Sequence, residues 1–354
     1  MPSKRVPPRR QHRSPRATAQ GELPLLDARA PELQPAAPAV VDVSHPEDAS
    51  PRSTRTIEFL LRALPAGWRA KTRDLLVLVR MDRPIGALLL LWPTWWALWL
   101  AGGSAAPRWK YLIVFTVGVF VMRAAGCAMN DFADRKLDPL VARTAGRPLA
   151  AGRVKPWEAV ACFVVLSLVG LALVLVFTNR LTIYLSFVGA ALALVYPFTK
   201  RYTQLPQVVL GAAFGWGIPM AFAAITNGVP PVAWLLLLGN ILFSVIYDTE
   251  YAMVDRDDDL RAGAKSTAIL FGEADLPILG VLMATLLFTL LLVGQRAALA
   301  WPFVAGLGVA LLLFAWQLWN MRWRQREACF AAFRNNNWVG GVIWLGIVVA
   351  LALG

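Results

Sequence analysis

The feature that most constrains the fold is a series of apolar segments, each close to twenty residues long. Nine of them follow one another, over residues 85–102, 110–128, 157–177, 181–198, 207–225, 232–248, 276–295, 299–319 and 338–353. About 20 helical residues cross a bilayer core of about 30 Å, and a helix satisfies its own backbone hydrogen bonds in lipid. Charged residues make up only 16% of the chain, against roughly 25% in soluble domains. We therefore predict an all-α integral membrane protein, with nine transmembrane helices around a central cavity that opens at the cytoplasmic face.

The residues before the first apolar segment divide into two parts. Residues 1–56 are rich in Pro, Ala and Arg, a composition that cannot bury enough apolar surface to fold, and we predict a disordered basic tail. Its arginine-rich start resembles a mitochondrial presequence in composition, although a cytoplasmic tail is the interpretation we favour. Residues 57–82 alternate large apolar and basic side chains and predict an amphipathic segment in the headgroup region. Residues 83–354 form the predicted transmembrane domain.

The basic residues of the connections indicate the topology. One alternate set of loops holds fifteen Lys and Arg and the other set holds four. Because positive loops stay in the cytoplasm, we expect a cytoplasmic N-terminus, an external Gly354 and, in a bacterium, a place in the inner membrane. Since most of the basic residues lie in these short loops, the net charge of +13 does not indicate nucleic-acid binding.

Two of the predicted cytoplasmic loops carry acidic clusters directly after an apolar segment. Carboxylates beside a hydrocarbon core are costly and mark functional sites. If the helices continue into the loops, the four-residue spacing places each set on one helical face. Oxygen ligands without His or Cys suit Mg²⁺, and the only histidines are in the tail. The candidate metal ligands are Asn130, Asp131, Asp134 and Asp138 in the first cluster and Asp248, Asp255 and Asp259 in the second.

Several basic or hydroxyl side chains lie close enough in sequence to serve a diphosphate or an acidic acceptor. Arg123 precedes Asn130 by seven residues and shares its helical face. Arg83 begins the first apolar segment, where it can meet an acceptor carboxylate. Each of these residues also has a simpler interpretation as a topological charge or a snorkelling side chain. The candidate substrate-binding and catalytic residues are Arg83, Arg123, Arg143, Arg147, Tyr196, Lys200 and Lys265.

The motifs Asn130-Asp-x-x-Asp134-x-x-x-Asp138 and Asp255-x-x-x-Asp259 resemble those of the UbiA family of membrane aromatic prenyltransferases. The segments 130–148 and 247–272 and the run that starts Arg83-Pro-Ile-Gly are similar to the bacterial 4-hydroxybenzoate polyprenyltransferase branch. The resemblance covers about residues 75–354. It implies that Mg²⁺ and the motif residues bind a polyprenyl diphosphate, with Lys200 stabilising the leaving group. The ring carbon ortho to the hydroxyl of 4-hydroxybenzoate then attacks the prenyl group, a step of ubiquinone biosynthesis.

Other functions use similar residues. Within the same chemistry, the acceptor can be homogentisate, a naphthoate or a haem, because the paired motifs bind the diphosphate and do not contact the acceptor. A CDP-alcohol phosphotransferase would carry a distinctive Asp-Gly start that this sequence lacks. A secondary transporter would place its carboxylates near the middle of broken helices, whereas these follow the ends of apolar segments. The sequence therefore favours prenyl transfer.

Overall fold

The structure, a computed structural model, describes residues 58–59, 61–82, 85–103, 107–140, 144–199, 202–263 and 265–354. The predicted basic tail, residues 1–56, lies outside the described residues. The described residues form helices and short connections, which confirms the all-α fold class. The helices are α1 (Ala66–Leu78), α2 (Ile85–Gly102), α3 (Trp109–Asp134), α4 (Pro156–Phe177), α5 (Arg180–Thr199), α6 (Pro206–Gly215), α7 (Gly217–Thr226), α8 (Pro231–Ala262), α9 (Thr267–Phe271), α10 (Asp275–Arg296), α11 (Trp301–Asn320) and α12 (Arg326–Leu353).

The number of membrane-crossing helices is close to the predicted nine. In the part of the chain that the structure describes, eight helical segments are long and apolar enough to cross a bilayer. A further apolar helix, Gly86–Gly102 within α2, is shorter than the others. The count of nine is therefore not confirmed, although each of the nine predicted segments is helical, the fifth as two consecutive helices.

The helices differ in how much of their surface faces other helices. The central helix is α8, most of which is buried against α6, α10 and α12. By contrast, α4 exposes apolar side chains along its length, including Val165, Leu168 and Val176. Apolar side chains that face outward on a membrane helix contact lipid. The carboxylates that follow the apolar part of α8 thus lie on a helix that is held on several sides by other helices.

The fifth predicted segment is one span made of two helices. The chain turns at Trp216, whose N–H bonds to the carbonyl of Ala213 in place of a regular helical partner. Asn240 of α8 donates to the carbonyl of Gly211 at 2.9 Å, which satisfies an acceptor near the break. A Cβ at Gly215 would lie 2.3 Å from the Asn240 amide nitrogen, so only glycine allows α6 and α8 to approach this closely. Asn240 of α8 therefore contacts α6 near the break, and its position in the sequence does not reveal this contact.

The first and last membrane helices pack together through tryptophan. The buried Trp96 of α2 donates its indole N–H to the carbonyl of Gly340 on α12 at 3.0 Å. Trp92 lies against the same segment, since a Cβ at Gly340 would be 2.5 Å from its ring. These contacts close the bundle between α2 and α12.

Candidate functional site

The first acidic cluster lies where α3 ends. The amide of Asn130 donates to a carboxylate oxygen of Asp134 at 3.2 Å, as the four-residue spacing predicts. The hydroxyl of Tyr196 on α5 donates to the side-chain amide oxygen of Asn130 at 3.4 Å. Asp134 is 8% exposed. An amide, a phenol and a carboxylate therefore meet at one end of the bundle.

Asp138 does not continue the face of α3 as we expected. The helix ends at Asp134, where the Leu137 N–H bonds to the Asp134 carbonyl in a tighter turn at 2.8 Å. Asp138 begins a 3₁₀ turn, Asp138–Leu140, because the proline that follows it disfavours the α conformation. The hydroxyl of Thr144 donates to the Asp138 backbone carbonyl at 2.8 Å. The third member of the motif is thus held by a turn and not by the helix.

Two arginines hold Asp131, which is 1% exposed. Arg80, just after α1, donates to its two carboxylate oxygens at 2.9 and 3.1 Å. Arg147 donates to one of these oxygens at 3.1 Å. Two cations therefore surround this carboxylate, so the structure does not favour the predicted metal-ligand role of Asp131. The sequence carried no signal for Arg80, which lies 51 residues from its partner.

Arg147 also holds Asp138. The same guanidinium nitrogen that contacts Asp131 lies 3.1 and 3.0 Å from the two Asp138 oxygens. Burial raises the pKa of the Asp138 carboxyl, the charge of Arg147 opposes this effect, and the nearby charges of Asp131 and Asp134 add to it. One cation therefore serves two carboxylates.

The second acidic cluster is carried by α8, in a row of side chains that is longer than predicted. Side chains that recur every four residues form an oblique ridge that winds partly around a helix. The ridge on α8 consists of Phe243, Tyr247, Tyr251, Asp255 and Asp259. The rings of Phe243 and Tyr247 are in edge contact, with centroids 5.3 Å apart. Asp255 is 8% exposed. The ridge thus runs from a buried aromatic part to an acidic end, and its aromatic part could have been found by extending the four-residue spacing backward.

The other faces of α8 are fixed to its neighbours. The side-chain amide of Asn336 on α12 donates to Glu250 at 2.6 Å, and both residues are fully buried. Arg256 pairs with Asp275 at the start of α10, and Arg324 donates to the same carboxylate at 2.9 Å. These contacts prevent rotation of α8 about its axis, so they set the direction of the ridge.

Tyr196 lies beside the first cluster. Its hydroxyl contacts the side-chain amide oxygen of Asn130, and its ring packs edge-on against Phe214 of α6, with centroids 6.2 Å apart. The structure therefore brings the predicted Tyr196 to the first acidic cluster.

The remaining predicted residues occupy varied positions. Arg123 lies over the backbone of Gly86 at the start of α2, where a Cβ would be 2.4 Å from its guanidinium. With Arg80, it lines a small cavity of about 40 Å³. Lys265 is exposed beyond the end of α8. The predictions for Arg83, Arg143 and Lys200 lie outside the described residues.

The donor chemistry of the two clusters fits Mg²⁺. Among the residues that the structure describes, no three His, Cys, Asp or Glu side chains converge as a metal-binding group. Mg²⁺ does not require such a cage, since it usually takes one or two protein carboxylates and completes its shell with water and substrate phosphates. The adjacent oxygens of Asn130 and Asp134, with Asp255 and Asp259, provide donors of this type. Residues outside the clusters, Glu250 and Asp275, are engaged with their own partners.

Comparison with known proteins identifies the family. Residues 90–345 match the UbiA prenyltransferase family. A 4-hydroxybenzoate octaprenyltransferase of Marinobacter nauticus is 55% identical over 289 residues, which cover 82% of this chain and 98% of the relative. One from Xanthomonas campestris pv. campestris is 58% identical over 286 residues, which cover 81% and 94%.

Solved structures share the fold. A UbiA homolog from Aeropyrum pernix K1 superposes with a TM-score of 0.65 and 26% identity, covering 75% of this chain and 98% of that one. A UbiA homolog from Archaeoglobus fulgidus bound to GPP and Mg²⁺ gives a TM-score of 0.60 at 16% identity, covering 78% and 99%. At 16% identity, the comparison with the Archaeoglobus fulgidus structure shows a shared fold.

Proposed function

Because the chain belongs to the UbiA prenyltransferase family, we propose that it transfers a polyprenyl group from polyprenyl diphosphate to 4-hydroxybenzoate. The relatives that are 55% and 58% identical carry this activity in their names. The reaction is a step of ubiquinone biosynthesis. Since those relatives are named for an octaprenyl donor, octaprenyl diphosphate is the first donor to test.

The observation that carries the proposal is the order of side chains along the α8 ridge. Its aromatic part lies inside the bundle and its carboxylates lie at the end. A polyprenyl diphosphate has the matching order, with an apolar tail, an allylic carbon and an anionic head. We propose that the tail lies along the apolar helices and that the head lies between Asp255 and the first cluster.

The proposed metal ligands are Asn130, Asp134, Asp138, Asp255 and Asp259, with Asp248 as a further candidate. Bound Mg²⁺ would neutralise the diphosphate, whose charge the carboxylates alone would repel. We propose no metal-ligand role for the predicted Asp131, because its oxygens accept hydrogen bonds from Arg80 and Arg147.

The reaction breaks the allylic C–O bond, and the electron pair leaves with the diphosphate. The rings of Tyr247 and Tyr251 would stabilise the resulting allylic cation through their electron-rich faces. The buried site excludes water, which would otherwise capture this cation. The ring carbon ortho to the acceptor hydroxyl then forms the new C–C bond, and its proton passes to a nearby carboxylate or to the diphosphate.

The proposed topology has both clusters at the cytoplasmic face, with the N-terminus inside and Gly354 outside. Since the relatives are bacterial, the proposed location is the inner membrane. Residues 57–82 are proposed to lie in the headgroup region. The exposed Trp68 of α1 is 71% accessible, as an interfacial anchor would be. A reporter fused after Gly354 that is active only outside the cytoplasm tests this orientation.

The test of function is prenyl transfer in membranes that contain this protein. Radiolabelled 4-hydroxybenzoate and octaprenyl diphosphate are supplied with Mg²⁺ or with EDTA. We expect a lipid-soluble product that requires Mg²⁺ and is lost in Asp134→Asn and Asp255→Asn. The matched control is Asp258→Asn on the same helix, which removes a charge that faces Arg326 at 3.5 Å. If a product formed only with another phenol, the proposal of prenyl transfer would stand and the proposed acceptor would be wrong.

A further inference from the structure

Asp131 lies inside the first acidic motif and yet is held by two cations. Its side chain is 1% exposed, and Arg80 and Arg147 are mostly buried beside it, with side chains 14% and 19% exposed. A buried carboxylate with two guanidinium partners has little negative charge left to attract a further cation.

Arg80 is itself held in an unusual backbone conformation. Its φ of 57° lies in the left-handed region, which costs about 1 kcal/mol or more for a residue with a Cβ. In this conformation one guanidinium nitrogen donates to the carbonyls of Val77 and Leu78 at 2.9 and 3.3 Å. The other nitrogen reaches Asp131. Arg80 thus ends α1 and binds the motif with one side chain.

Arg147 divides one nitrogen between Asp131 and Asp138, at distances of 3.0 to 3.1 Å. Because a single donor serves both carboxylates, a stronger hold on one must weaken the hold on the other. Arg80 competes with Arg147 for Asp131. The charge of Arg80 therefore controls how strongly Arg147 occupies Asp138.

We propose that Arg80 and Asp131 are positioning residues that tune the affinity of Asp138 for Mg²⁺ through Arg147. Asp131 draws Arg147 partly away from Asp138, and Arg80 limits how far it does so. This inference rests on the proposed function, because it assumes that Asp138 takes part in Mg²⁺ binding.

The two positioning residues should act in opposite directions. In Asp131→Asn, Arg147 keeps Asp138 as its remaining acidic partner and competes with the metal for it. The Mg²⁺ concentration at half-saturation should therefore rise by about tenfold, which corresponds to one hydrogen bond to a charged group. In Arg80→Gln, Asp131 attracts Arg147 more strongly and releases Asp138, so half-saturation falls by about threefold. A role in folding alone would weaken metal binding in both variants.

The experiment is a thermal-unfolding titration of the full-length protein in detergent. After treatment with EDTA, the unfolding midpoint is followed against MgCl₂, with and without inorganic pyrophosphate. Arg80→Lys keeps the charge but not the forked donor geometry, so it should lie between the wild type and Arg80→Gln. The control Asp74→Asn removes another attachment of α1, the 2.9 Å contact with Arg153. Arg153 keeps its bond to the Gly146 carbonyl beside Arg147, so half-saturation should stay unchanged.

A double variant separates positioning from direct ligation. If Asp131 only positions Arg147, adding Arg147→Gln to Asp131→Asn removes the competing cation and returns half-saturation to the wild-type value or below. If Asp131 is itself a Mg²⁺ ligand, affinity stays low in the double variant and the inference is wrong. Shifts of equal sign in Asp131→Asn and Arg80→Lys would also overturn it. A wild-type protein that shows no Mg²⁺ response in either series and no prenyl transfer would overturn the proposed function as well.

Discussion

The two acidic clusters hold their carboxylates by different means. In the first, the helix ends at Asp134 and side chains from elsewhere in the chain, Arg80 and Arg147, fix Asp131 and Asp138. In the second, one helix continues through Asp255 and Asp259, and contacts on its other faces fix its rotation. The first cluster is therefore organised by charge compensation and the second by a rigid backbone. This difference indicates that substitutions near the first should change metal affinity, whereas those near the second should change stability.

The largest effect should come from the motif carboxylates themselves, where the clusters should behave alike. We expect Asp134→Asn and Asp255→Asn each to lower prenyl transfer by about a hundredfold or more, as loss of one group that stabilises charge does elsewhere. Steady-state rates at saturating Mg²⁺ provide the measurement. Loss of activity in only one variant would mean that one cluster alone serves the diphosphate.

The second prediction concerns the anchor of the rigid cluster. Asp275 is fully buried and is bound by Arg256 and Arg324, and its acceptance of these bonds holds the pKa of Arg324 above its usual range. Asp275→Asn should destabilise the protein by about 2 kcal/mol, because two partly buried guanidinium groups lose charged hydrogen bonds to a buried carboxylate. Thermal unfolding in detergent measures the change. Unaltered Mg²⁺ half-saturation in the folded fraction is expected, and a metal-affinity change without destabilisation would contradict the comparison.

The third prediction tests the aromatic part of the ridge. Tyr251 packs against Phe333 with ring centroids 4.7 Å apart. We expect Tyr251→Leu to lower the turnover number by about thirtyfold, the equivalent of one cation–π contact in a desolvated site. Tyr251→Phe retains the ring and should keep most of the activity. Equal losses in the two variants would assign the role to the hydroxyl group.

The fourth prediction concerns pH at the charge-compensated cluster. The raised pKa of Asp138 means that protons compete with Mg²⁺ at a higher pH than at an ordinary aspartate. Metal binding should therefore weaken as the pH falls through that pKa. Arg147 lowers this pKa, so Arg147→Gln should move the loss of binding to higher pH. Mg²⁺ titrations followed by thermal unfolding at several pH values would show the shift, and movement to lower pH would contradict the assigned role of Arg147.

The smallest effect should follow from an exposed charge beside the second cluster, on another face of α8. Asp257 lies 3.8 Å from Arg326, and its side chain is 68% exposed. Because exposed ion pairs contribute little, Asp257→Asn should change activity by less than about twofold and leave the unfolding midpoint nearly unchanged. A large effect would mean that Asp257 belongs to the site and that the site-facing and exposed carboxylates of α8 do not differ in role.

Much of the fold was predictable because length and hydropathy alone identify helices that cross a bilayer. The break at Trp216 was not predicted, although the sequence holds a cause for it: Pro219 has no N–H to donate to the carbonyl of Gly215, so a continuous helix is disfavoured there. Within the site, the four-residue spacing correctly placed Asn130 beside Asp134. Spacing within a helix cannot reveal contacts between distant segments, so the pairing of Arg80 with Asp131 was missed. It also misplaced Asp138, because the proline after it ends the helical geometry.

The length of α8 has a consequence for the membrane that this protein can occupy. From Pro231 to Asp255 the helix rises by about 36 Å at 1.5 Å per residue, about 6 Å more than a typical hydrocarbon core. A markedly thicker bilayer would draw the carboxylate end toward lipid and impose a desolvation penalty, whereas a thinner one can be accommodated by tilt. The length of α8 therefore restricts the hydrocarbon thickness of the membranes in which its carboxylate end lies at the water boundary.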